Sequence, residues 1–227
     1  MRGTRVGAGP DAWRLVVPVK PLTAAKSRLA PATGAYRGGL ALAFAVDTVR
    51  AALSCRRVAG VLVVTDDPVV AEQVRAEGAE TVADVQGQDG RGRPGGLNAA
   101  LEHGAGLAGL WWPGAGVAAL SADLPALRPE ELDRVLGEAG RRPRAFLADA
   151  AGVGTTLLAA WPGTVLAPAF EGASRARHRR SGAHELVLDD VDSVRRDVDT
   201  GADLARAVEL GVGPRTAALL PLLSAGC

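Results

Sequence analysis

Lys20, Lys26 and Arg28 gather in VVPVKPLTAAKSRLAP (residues 16 to 31), with Ser27 between the last two, where an apolar run gives way to a polar loop. Cations at the mouth of a buried strand suit a polyphosphate, whose charge they neutralise. This is not a Walker loop: the GxxxxGK[ST] spacing is absent because Ala24 and Ala25 precede Lys26. The competing reading is a solvated surface loop. Aspartates close other apolar runs. Asp66 and Asp67 follow VAGVLVVT (58 to 65), and Asp123 ends VAALSAD. In RRDVDTGADL, Asp197 and Asp199 stand two apart, so on a strand both carboxylates face one side. Carboxylates from two distant segments have the hard oxygen donors to hold one Mg²⁺ against a triphosphate, although singly each is more often a cap or turn residue.

Further polar groups cluster in glycine-bearing stretches. GGLNAAL (95 to 101) offers a tight turn at Gly96 and, at Asn98, a donor and an acceptor for a base edge or simply for a helix start. GRGRPG (90 to 95) satisfies G-x-G-x-x-G, but it falls in the third βα connection and holds Arg91 and Arg93. It also lacks an acidic residue closing a strand about 20 positions on, so it reads as a loop folding over a ligand, not as a dinucleotide fingerprint. GVGTTLLAA (152 to 160) leads Thr155 and Thr156 into a strand, where a hydroxyl and backbone N–H groups suit a phosphate or carboxylate, or where β-propensity alone explains them. FEGASRARHRRSGAH (170 to 184) sets Gly172 and Ser174 ahead of Arg175, Arg177, Arg179 and Arg180, some placed for an anionic acceptor and others for a solvated face.

These residues need elements to hold them. WRLVVPV (13 to 19), VAGVLVVT (58 to 65), GVAALSA (116 to 122) and RAFLAD (144 to 149) read as strands. Between the first two, Leu42, Val46, Val49 and Leu53 trace one helix face, making a βαβ unit. Helices are expected at 68 to 77, 97 to 108 and 129 to 139, the last begun by Pro129 and two glutamates, with TGADLARAVELG (200 to 211) closing the chain. The alternation predicts an α/β fold with a mostly parallel, doubly wound sheet, and from about residue 150 mixed strands laid over it. Lys20, Asp66 and Asp123 then all leave the carboxyl ends of strands, where such sheets bind ligands.

Composition narrows the classes. The 227 residues suit one domain, read as 13–227 after an unrelated extension over 1–12. Lysine plus arginine (26) nearly balance aspartate plus glutamate (25), so no general basic surface argues for nucleic acid. Cys55 and Cys227 form no CxxC pair, and His103, His178 and His184 form no HExxH, so neither a disulfide framework nor a zinc site is signalled. No apolar run approaches the roughly 20 residues that span a bilayer, which predicts no membrane partner and a cytoplasmic protein.

Seven stretches in register, VVPVKPLTAAKSRLAP, VLVVTDDPVVAEQVRAEGAE, GGLNAAL, ALSADLPAL, GTTLLAA, ASRARHRRSGAHE and DVDTGADL, make the chain resemble the phosphoenolpyruvate and 2-phospho-L-lactate guanylyltransferases of coenzyme F-420 biosynthesis. The resemblance implies a Rossmann-like nucleotidyltransferase fold and transfer of GMP from GTP to phosphoenolpyruvate, with pyrophosphate released. 2-Phospho-L-lactate and 3-phosphoglycerate are the alternative acceptors, and a homodimer is compatible with it. By position it makes Lys20, Lys26 and Arg28 triphosphate contacts, with Ser27, Asp66, Gly96 and Asn98 on the nucleotide. It makes Asp123, Asp197 and Asp199 ligands of Mg²⁺, and Thr155, Gly172 and Ser174 acceptor contacts. Two departures stand out: Gly201 replaces the family's usual proline after DVDT, and the interval from Thr155 to Ser174 leaves Glu171 competing with Gly172. The rival readings are a molybdopterin nucleotidyltransferase or nucleotide-sugar synthase, and a non-catalytic nucleotide-binding module.

Overall fold

The computed structural model describes residues 12–23, 36–84 and 96–224. Residues 1–11 of the N-terminal extension, Lys26, Ser27 and Arg28, and Arg91 and Arg93 lie outside them. The first half runs β1 (Trp13–Pro18), α1 (Arg37–Leu53), β2 (Val58–Val64), α2 (Pro68–Ala76), β3 (Glu80–Val82), α3 (Leu97–Trp111) and β4 (Gly116–Leu120). It continues α4 (Pro129–Ala139), β5 (Arg144–Ala148), β6 (Thr155–Ala160), α5 (Ser174–Arg180) and β7 (His184–Glu185). Helices α6 (Asp192–Arg195), α7 (Gly201–Leu210) and α8 (Pro214–Ser224) follow, the last beyond the helix with which the sequence pattern closes.

The strands form one sheet in the order β3-β2-β1-β4-β6-β5-β7. β1 runs parallel to β2 and β4, β2 to β3, and β5 to β7. β6 is antiparallel to both of its neighbours, β4 and β5. The parallel, doubly wound part follows the expected alternation. The mixed part differs from expectation, because TTLLAA lies within the sheet and not over it. All six of its residues are buried, which is why the stretch shows apolar content without alternation.

Alternate residues of β1 feed different cores. Leu15 and Val17 pack with Val46 and Val49 of α1, Val70 and Val74 of α2, and Leu132 and Leu136 of α4, while Val16 packs with Ala100 and Leu101 of α3. α1 is buried on a second side too, where Leu40 and Phe44 meet Leu204 and Ala207 of α7. On the same helix Asp47 is 3 % exposed, and its two oxygens accept the N–H groups of Arg215 (3.1 Å) and Thr216 (2.8 Å). A buried carboxylate thereby satisfies the open donors at the start of α8. Among the described residues no helix is long and apolar enough to cross a membrane.

Close approach of α3 to the sheet depends on Gly104. A Cβ there would lie 2.5 Å from Val16 Cγ1 and 2.8 Å from Val64 Cγ2. Both valines are buried and stiff about χ1, so the helix must lift. Overpacking of about 1–3 kcal/mol exceeds the propensity gain of about 1 kcal/mol that alanine brings to a helix. Gly104→Ala is therefore expected to lower Tm by several degrees in a thermal melt. An unchanged Tm would mean that α3 leaves the sheet without cost.

Candidate active site

The chain builds outward from β1 through β2 to β3, then returns to the other side of β1 for β4. At this reversal of strand order a cavity of about 630 Å³ opens at the carboxyl ends of β1 and β4. Pro18, Val19 and Lys20 line it from β1, and Ser121, Ala122 and Asp123 from β4. The turn after β4 is pinned by Thr48 of α1, whose hydroxyl donates to Ala122 O (3.3 Å) and accepts Leu124 N–H (3.0 Å).

Lys20 is exposed, with Nζ 3.8 Å from Glu171 Oε1 across the cavity. The start of its loop is anchored by Asp67. One oxygen of that carboxylate accepts Leu22 N–H (3.0 Å), and the other caps α2 through Val69 and Val70 (3.0 and 3.3 Å). The Leu22 amide chiefly, with the two cap amides, holds the Asp67 carboxyl below its usual range against the opposing effect of burial. Asp66 accepts Asp84 N–H at 3.0 Å and is not among the residues lining the cavity.

Four aspartates line the cavity: Asp123, Asp149, Asp197 and Asp199. Residues 196–199 form no strand, yet buried Val198 donates its N–H to Asp123 O (3.0 Å), and Asp197 and Asp199 both reach the cavity as two-apart neighbours should. Desolvation first, then the charges of Asp123, Asp149 and Asp199, push the Asp197 carboxyl up to about 7. Among the described residues no three acidic, histidine or cysteine side chains converge into a ready-made metal cage.

Asp149 escaped the sequence reading, although it ends RAFLAD just as Asp123 ends VAALSAD. The same strand-end rule would have found it. Its oxygens accept Val153 N–H (2.9 Å) and Gly154 N–H (2.7 Å), shaping the loop into β6. A Cβ at Gly154 would sit 2.4 Å from Asp149 Oδ2, so any other residue there displaces the Asp149 carboxylate.

Thr155, Gly172 and Ser174 line the same cavity, with Glu171 beside them. Glu171 (φ 78°) and Gly172 (φ 51°) both adopt left-handed backbone, an easy conformation for glycine and a costly one for glutamate. Ser174 is buried and donates its N–H to Gly172 O (2.8 Å). Gly96 caps α3, whose Leu97 and Leu101 line the cavity. Asn98 uses its amide on the backbone of one residue, accepting Phe170 N–H (2.7 Å) and donating to Phe170 O (3.2 Å), so both groups expected at a base edge hold a loop.

The arginines after Ser174 fasten the same region. Arg175 and Arg179 both pair with Glu185, and Arg177 donates to Ala169 O (3.1 Å) and Phe170 O (3.0 Å). Beneath them His178, fully buried, bonds Thr155 Oγ1 through Nδ1 (2.9 Å) and accepts Ala169 N–H at Nε2 (2.9 Å). Desolvation, followed by the charges of Arg144 and Arg177, lowers its pKa to about 4. Sequence reasoning passed over His178 because it sought metal spacings and not a buried hydrogen-bond bridge.

The geometry has relatives. A nucleotidyl transferase from Methanothermobacter thermautotroptrophicus superposes with TM-score 0.62 at 20 % identity, covering 88 % of this chain and 98 % of that one. A CMP:2-keto-3-deoxy-manno-octonic acid synthetase in complex with CTP does so with TM-score 0.53 at 17 % identity, covering 88 % and 98 %. These place the fold among the nucleotidyltransferases. In sequence, the phosphoenolpyruvate guanylyltransferase of Streptomyces scabiei is 65 % identical over 208 residues, 91 % of this chain and 94 % of that protein. The protein of the same name from Thermomonospora curvata is 55 % identical over 217 residues, 94 % and 92 %. The model of the family described as "Guanylyl transferase CofC like" matches residues 13–223, and with relatives this similar the chain belongs to that family.

Proposed function

We propose that the chain transfers GMP from GTP to the phosphate of phosphoenolpyruvate and releases pyrophosphate. What carries this reading is the meeting, in one cavity, of an acidic wall and a hydroxyl-bearing wall, in a chain 65 % identical to a protein named for that reaction. One phosphate oxygen of the acceptor forms the new bond to the α-phosphorus, while the bridging bond from that phosphorus to the β-phosphate breaks in line. The work of the protein is positioning and charge compensation.

Lys20, with Lys26 and Arg28, would take the departing pyrophosphate, Lys20 exchanging its exposed Glu171 partner for phosphate. We assign Ser27, Asp66, Gly96 and Asn98 to the nucleotide half, Asn98 acting through the loop it holds. Thr155, Ser174 and the Glu171–Gly172 backbone would receive the acceptor. The donor set fits a hard divalent cation, because repelling carboxylates line the wall and Mg²⁺ takes one or two of them together with phosphate oxygens and waters. Asp123, Asp197 and Asp199 would hold it, and when bound it would neutralise phosphate charge and polarise the transferred group.

Pyrophosphate release with GTP should show the highest kcat/KM for phosphoenolpyruvate, above 2-phospho-L-lactate and 3-phosphoglycerate. Its planar enol fixes carboxylate and phosphate, so a preorganised site binds it with less ordering cost. Preference for another acceptor would reassign the hydroxyl wall, and no release with any of them would leave a binding module. Lys20→Ala should lower kcat/KM for GTP by about 100-fold. Unchanged kinetics would return Lys20 to a surface ion pair.

A further inference from the structure

We infer that His178 is a positioning residue that makes the Thr155 hydroxyl an obligate hydrogen-bond donor to an anionic oxygen of the acceptor. Ala169 N–H is a donor, so Nε2 facing it at 2.9 Å must be an acceptor, and an imidazolium has none to offer. The ring is therefore neutral with its proton on Nδ1. That proton points at Thr155 Oγ1, 2.9 Å away, and the hydroxyl receives it. A hydroxyl has one proton, and this arrangement leaves that proton for an oxygen in the cavity, whose wall Thr155 forms.

Everything packed around the ring supports this state. Phe146 and Phe170 lie against it with ring centroids 5.7 and 5.0 Å away, and Arg144 and Arg177 disfavour a second positive charge. Through Ala169 the ring also ties β6 to the segment carrying Phe170, Glu171 and Gly172, which Asn98 and Arg177 hold as well. His178 thus sets the distance between the two halves of the acceptor wall. Ionised phosphoenolpyruvate presents only acceptor oxygens to such a wall, and a fixed donor selects for them.

The inference rests on the assignment of Thr155 to the acceptor, so the tests are chosen to separate the two. ¹⁵N NMR of the imidazole in the wild-type protein should show the Nδ1–H tautomer, whatever the substrate is. A signal from the Nε2–H form or from imidazolium would overturn the inference alone. In kinetics, His178→Phe and Thr155→Val should each raise KM for the acceptor about tenfold, the worth of one hydrogen bond to a charged group, with KM for GTP unchanged. The double variant should be no worse than either single one, because the two act as a unit. His178→Asn, which returns a donor to Thr155, should recover most of the loss. Additive losses, or an equal rise in KM for GTP, would reduce His178 to a packing residue. Should His178→Phe fail to fold, His178→Leu measured against Thr155→Val carries the same comparison. If the wild type turns over no phosphorylated acid, the acceptor assignment falls, while the tautomer result stands apart from it.

Discussion

Asp123→Asn is expected to reduce kcat for GMP transfer by a thousandfold or more, about 4 kcal/mol of barrier, with the fold intact. Asp123 sits half-buried in a turn that Thr48 and Val198 hold through its backbone, bonds that the substitution leaves in place. Removing one of four neighbouring charges also relieves repulsion. Asp197 has a folded pKa raised from the usual carboxylate value to about 7, so its favourable contribution is present at low pH and lost as pH rises through that window. At pH 8 the cation-free variant should therefore be at least as stable as the wild type, yet gain less stability from GTP with Mg²⁺. Undiminished turnover at saturating Mg²⁺ would remove Asp123 from the reaction.

His178 should make the protein sensitive to mild acid. Its folded pKa, about 4, lies below the 6.5 expected of the unfolded chain, so the unfolded state binds the proton more readily. The stabilising contribution is complete above pH 6.5 and is lost as pH falls toward 4. It amounts to about 3 kcal/mol, a large share of the stability of a typical domain. Denaturant unfolding of the wild type and of His178→Asn across pH 4 to 7 would reveal it as a difference that grows with pH. Asp197 titrates over the same range with the opposite sign, but it is present in both proteins and cancels. A flat difference would mean that the folded imidazole accepts its second proton at no cost.

Local pattern in the chain determined a good part of this protein. The apolar run of β1, the Val46/Val49 face of α1 and the proline-started helix α4 all follow from side-chain periodicity and capping chemistry, which act over a few residues. Asp123 at a strand end and the paired Asp197 and Asp199 were legible for the same reason, and both segments do reach one cavity. Tertiary structure decided the rest. Nothing local says that TTLLAA inserts antiparallel between β4 and β5, because all six residues are buried and both sheet faces look alike. That insertion is what brings Thr155 into the cavity that Asp123 lines and within reach of His178. Asn98 reaching Phe170 over 72 positions, and Asp47 capping α8 over 168, were equally hidden. Each is a polar side chain whose partner is a backbone group from a remote segment. Burial makes such a bond obligatory, while sequence spacing carries no record of which remote donor or acceptor will meet it.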